Sequence, residues 1–76
     1  MNISYVMINV ELGAEQQVFG EIRKIAGVKE CHRVYGLYDI IVKVEADSMN
    51  QLSQVITSKI RQLNGVRSTL TTIVIE

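Results

Sequence analysis

The chain has 76 residues, eight Lys or Arg against eight Asp or Glu, 47% hydrophobic residues, one cysteine and neither proline nor tryptophan. Its apolar content excludes a disordered segment, and zero net charge with no basic cluster excludes the electrostatic footprint of a nucleic-acid binder. A domain this small buries only roughly 60% of its unfolded surface, so one domain, 1–76, drawing extra burial from other subunits is expected.

Ile3 to Val10 is apolar on both alternating faces, as in a central strand covered on each side. It carries no positive n-region, and no apolar run in the chain approaches the ~20 residues needed to cross a bilayer, so neither export nor a membrane is indicated. A helix is predicted from Ala14 to Ala26, with Val18, Phe19, Ile22, Ile25 and Ala26 on one stripe. Val28 to Tyr35 reads as an edge strand, because Lys29, Glu30, His32 and Arg33 guard it against unwanted pairing. After Gly36, Tyr38 to Glu45 resumes as a strand with Ile40, Val42 and Val44 on one face, which makes a hairpin turning near Gly36. Ser48 with Gln51 three residues on is a capping box ahead of the stripe Leu52, Val55, Ile56, Ile60 and Leu63. Val66 to Ile75 is the last strand.

The phrase Ile25-Ala26-Gly27-Val28-Lys29 returns as Leu63-Asn64-Gly65-Val66-Arg67, half the chain's length later. In both places a helix stops at a glycine that accepts a left-handed conformation and hands over to a strand. One βαβ unit used twice gives an α+β, ferredoxin-like βαββαβ fold. Right-handed crossovers place both helices on one face of a four-stranded antiparallel sheet in the order 4-1-3-2. If Ile40, Val42 and Val44 meet the helices, strict alternation puts Ile41, Ile73 and Ile75 on the open face, and a dimer formed through that face would cover them.

The densest polar and aromatic cluster is the turn Tyr35-Gly36-Leu37-Tyr38-Asp39, where backbone amides could take a carboxylate and Asp39 an ammonium group. An ordinary hairpin with a positive-φ glycine accounts for the same residues. Thr69 and Thr71 offer two hydroxyls on one side of the last strand, although threonine is also a routine strand residue. Cys31 and His32 point to opposite faces and cannot share a metal, and one cysteine allows no internal disulfide or CxxC loop. No metal site, cofactor or nucleophilic triad is expected, and the cysteine usage fits a reducing, cytoplasmic setting.

In this order the residues resemble the ligand-sensing RAM domain of the Lrp/AsnC (leucine-responsive, feast/famine) transcriptional regulators. The resemblance rests on Tyr5-Val6-Met7-Ile8-Asn9-Val10, the Gly27-Val28 and Gly65-Val66 helix exits, Val34-Tyr35-Gly36-Leu37-Tyr38-Asp39, and Ser68-Thr69-Leu70-Thr71-Thr72-Ile73-Val74. It implies dimers formed through the sheet and assembled into rings, with a free amino acid bound between dimers by Tyr35, Gly36, Leu37, Tyr38, Asp39, Thr69 and Thr71. The helix-turn-helix of the full-length regulators has no counterpart in these residues. The expectation is therefore a stand-alone sensing domain that is not an enzyme, does not touch DNA itself and modulates a full-length regulator by co-assembly. Two alternatives stand beside it: a ligand-free assembly module, and a small dimeric α+β barrel enzyme using Asp39, His32 or Asn9.

Overall fold

The structure is a computed structural model and describes residues 1–75. Strand β1 (Asn2–Val10) is followed by helix α1 (Glu15–Ile22), strand β2 (Val28–Arg33), strand β3 (Ile40–Ala46), helix α2 (Met49–Gln54) and strand β4 (Val66–Ile73). The sheet runs β2-β3-β1-β4 with every neighbouring pair antiparallel, which is the predicted order and the ferredoxin-like architecture.

Alternation along the two central strands builds the core. Val6, Ile8 and Val10 of β1 and Ile40, Val42 and Val44 of β3 are buried against Val18 and Ile22 of α1 and Leu52, Ile56 and Ile60 of the second helical stretch. Ser48 caps the helix as read, its Oγ accepting the Gln51 amide at 3.1 Å, while the return bond from the Gln51 side chain falls one residue before the cap. Gln51 Oε1 in turn accepts the Asp47 amide at 3.3 Å.

Both helical stretches differ from their predicted form near their ends. α1 stops at Ile22 rather than Ala26, because the Lys24 and Ile25 amides reach back only three residues, to Glu21 and Ile22, and wind the chain tightly into Gly27. α2 continues as a π-helical segment, Val55–Ile60, closed by the Arg61 amide donating to the Ile56 carbonyl at 3.0 Å. Within it the Thr57 hydroxyl donates to the Ser53 carbonyl at 2.8 Å, a local side-chain bond of the kind that perturbs helices.

The register corrects one predicted face. Val66 pairs with Val10, but the next pair is Ser68 with Asn9, so Arg67 is the extra residue of a β-bulge. Beyond it the alternation is reversed: Thr69, Thr71 and Ile73 lie opposite Ile8, Val6 and Ser4, on the helix side. Ile73 is therefore not on the open face, contrary to strict alternation. Ile75 lies past β4 and is almost fully exposed. Ile41 does face the open side, beside Met7, and the open face continues through Tyr5, opposite Thr72, and Met7, opposite Leu70. On the β2 side this face is charged: Glu30 lies 3.4 Å from His32 and 3.8 Å from Lys43, and Lys43 lies 3.5 Å from Glu45.

Candidate effector site at the β2–β3 turn

The turn is closed at its base by the Val34 amide donating to the Asp39 carbonyl at 2.9 Å. Gly36 makes its corner at φ +141°, a conformation that side chains with a Cβ rarely adopt. Asp39 then ties the turn to β1 twice. Its amide donates to the Ile8 carbonyl, and its carboxylate Oδ2 accepts the Val10 amide, each at 2.9 Å. Where β3 leaves the sheet, the side chain thus replaces the backbone acceptor that Val10 would otherwise lack. Asp39 is first an anchor, with its second carboxylate oxygen left for other work.

The tip of the turn is apolar and stands in water. Tyr35 and Leu37 are almost fully exposed, as is Leu12, two residues beyond the Val10 that Asp39 holds. Tyr38 is half-buried. Side chains of this kind, gathered at one end of a sheet, mark a surface built to be covered.

The predicted ligand residues are only partly brought together. Thr69 pairs with Ile8, the residue whose carbonyl holds Asp39, so the two lie in one row across the sheet with β1 between them. Thr71 lies two residues further from the turn and is exposed. Thr69 also lines a shallow cleft of about 330 Å³ with Arg61, Val66, Arg67 and Ser68. The two arginines escaped the sequence reading. Only the bulge, visible once β4 is in register, places Arg67 there.

The residues that an enzyme would have used do not converge. Asn9 Nδ2 donates to Ser68 Oγ at 3.4 Å on the β1–β4 side, His32 meets Glu30 on β2, and the Asp39 carboxylate is held by Val10. Cys31 turns toward the core opposite Val42; burial pushes its thiol pKa up, with the Arg23 guanidinium partly opposing the shift. Among the described residues no helix is long and apolar enough to cross a membrane.

A split βαβ fold, with two helical stretches on one face of a four-stranded sheet and an exposed β2–β3 turn anchored to β1, defines the class of domain. The sequence agrees: the chain belongs to the Lrp/AsnC ligand binding domain family, whose model matches residues 3–76. A crystallised FFRP protein is 39% identical and superimposes with a TM-score of 0.94 over 99% of this chain and 100% of its own. AsnC of E. coli, 24% identical, gives a TM-score of 0.91 over 99% of this chain and 51% of its own. A Neisseria meningitidis transcriptional regulator in complex with L-Met, 17% identical, shares the fold at a TM-score of 0.86, over 99% of this chain and 50% of its own. A homocitrate synthase of Saccharolobus solfataricus is 54% identical over 52 residues, which are 68% of this chain but 11% of that enzyme. The chain thus spans about a tenth of the curated relatives it matches.

Proposed function

We propose that this ligand-binding domain senses a free amino acid at the β2–β3 turn, between copies of itself, in the cytoplasm. The observation that carries the reading is the turn itself, where Tyr35, Leu37 and Leu12 project apolar surface beside a carboxylate already fixed in place by Val10. In this reading the amides around Gly36 take the effector's carboxylate, the second oxygen of Asp39 takes its ammonium group, and Thr69 and Thr71 add hydroxyls from β4. The regulator crystallised with L-Met, which has the same fold, supports the choice of effector class.

Dimers form through the open face, centred on Tyr5, Met7, Ile41 and Leu70, with Ile75 and the charged β2 side at the rim. Dimers then meet through the turns and close into rings, so that effector occupancy and assembly are linked. Regulation passes to a full-length Lrp/AsnC-type regulator by co-assembly. Calorimetric titration with the common amino acids, paired with native mass spectrometry, tests the reading. One amino acid should bind and shift the oligomer distribution, and the absence of binding at millimolar concentration would leave a ligand-free assembly module.

The 52-residue match to homocitrate synthases favours a second target for the same device, since a closely similar sequence forms part of an enzyme. A sensing domain that serves both settings acts by changing how its neighbours associate. Capture of a DNA-binding regulator against capture of a biosynthetic enzyme by the tagged chain, with and without the effector, separates the two targets.

A further inference from the structure

At the end of the sheet opposite the β2–β3 turn, a cleft of about 450 Å³ opens between the second helical stretch and the adjoining ends of β2 and β3. That volume lies within the roughly 300–1,000 Å³ of small-molecule sites. Val55, Ser58 and Lys59 line one wall, and Ala26, Lys29 and Ala46 the other. Both walls are shaped by irregular backbone. The π-helical segment Val55–Ile60 presents the first three residues, and Lys29 is the unpaired residue of a β-bulge, because Val28 pairs with Val44 and Glu30 already with Lys43. Widened helical turns and bulges recur where a side chain has been re-aimed at a ligand.

The charges on the two walls do not cancel. Lys29 and Lys59 enter no ion pair among the described residues, whereas the Glu45 carboxylate lies 3.5 Å from the Lys43 ammonium group on the open face of the sheet. Asp47 is the remaining acid in the lining. Ala26, Ala46 and Val55 give the same cleft an apolar part of its lining. From this arrangement we infer that the cleft binds a small linear dicarboxylate, with one carboxylate on Lys29, the other on Lys59, and the methylene chain over the alanines and Val55. Two lysines, one from the strand side and one from the helical side of the cleft, together with apolar lining residues favour a ligand charged at both ends. The site is separate from the turn, so it stands or falls independently of the amino-acid reading.

Glutarate is the probe, titrated into the intact 15N-labelled protein at an ionic strength of about 0.15 M, where screening suppresses diffuse attraction. Saturable shifts are expected at the amides of Gly27, Lys29, Val55 and Ser58, with those of Tyr35 to Asp39 unmoved. Lys29→Gln and Lys59→Gln, both at exposed positions, should each weaken binding about tenfold, and glutarate monomethyl ester should bind the parent about tenfold more weakly than glutarate. The inference is overturned if no saturable shift appears at the cleft, if the Lys29→Gln/Lys59→Gln double variant binds as tightly as the parent, or if the ester binds as well as the diacid.

Discussion

The two halves of the chain share a backbone and differ in what they show to the outside. Gly27 and Gly65 close their helical stretches at φ +98° and +96°, the Val28 and Val66 amides reach back to Ile25 and Leu63, and a bulge follows in both halves, at Lys29 and Arg67. Beyond the bulge the halves diverge. On the open face β2 carries Glu30 and His32, tied into a charged ladder with Lys43, whereas β4 carries Ser68 and Leu70 at the same steps from its glycine. Leu70, Ile73 and Val74 leave the β4 side partly exposed. The repeat therefore preserved the corner while the outward surfaces were free to change, one edge toward charge and water, the other toward apolar contact.

Substitution on the open face tests that division with the largest expected effect. Met7→Lys or Ile41→Lys would bury an unpaired ammonium group in the proposed dimer, and a penalty of about 3–5 kcal/mol would raise its dissociation constant by at least about a hundredfold. Ile73→Lys, on the helix side of β4, should leave the dimer largely intact. Sedimentation across a concentration series reads all three, and dissociation by Ile73→Lys alone would reverse the register argument.

The two glycines come next. A Cβ built at Gly65 would lie 2.9 Å from both Ala14 Cβ and Val18 Cγ2, whereas at Gly27 its nearest neighbour is the Glu45 carbonyl oxygen at 3.1 Å. Gly65→Ala should cost about 2–5 kcal/mol in a denaturant melt, from left-handed strain plus overpacking of the α1 contact. Gly27→Ala should cost about 1–3 kcal/mol, chiefly from strain. Equal losses would mean that the corner, and not the packing around it, sets both.

Asp39 separates anchoring from recognition. Asp39→Ala strands the Val10 amide and should cost about 1–3 kcal/mol of stability. Asp39→Asn keeps an acceptor for Val10, so stability should hardly move while amino-acid affinity falls about tenfold, provided the charge holds the ammonium group. An Asn variant that binds the effector as tightly as the parent removes Asp39 from the proposed site. The smallest effect belongs to Cys31, which occupies in β2 the step that Thr69 occupies in β4. With its thiol pKa raised by burial, iodoacetamide should modify it more slowly than in the urea-unfolded chain, along a curve displaced to higher pH. Because the folded state holds this proton more tightly, the associated stability is present below the ordinary thiol range and is lost as pH rises through the raised value.

The sequence carried the architecture because its signals were local and redundant. Ser48 with Gln51 marked a helix start, Gly27 and Gly65 marked helix exits, and alternation along Ile40, Val42 and Val44 phased β3; each is decided within a few residues. What escaped depended on partners distant in the chain. The Arg67 bulge has no composition signature, yet it turned Ile73 to the other face. The π-helical segment, where the Thr57 hydroxyl donates to the Ser53 carbonyl, has no signature in the apolar stripe. At the turn, the cluster from Tyr35 to Asp39 was legible as unusual, but the hold of Asp39 on Val10 appears only when β1 is beside it. The apolar residues on both faces of β1 had already signalled that the side bearing Tyr5 and Met7 needs a cover.

Every ladder in the sheet joins one half of the chain to the other: β1 pairs with β3 and β4, and β2 pairs with β3. The glycine corners are clasped in the same crosswise manner, the Glu11 amide by the Gly65 carbonyl and the Glu45 amide by the Gly27 carbonyl. Neither half owns a sheet, so an isolated ancestral unit would have had unpaired strands until it met a second copy. The present chain retains that interdependence. Proteolytic nicking at the exposed Leu37 should leave two fragments that stay associated as a native-like pair and, once separated, are unstructured until they are mixed again.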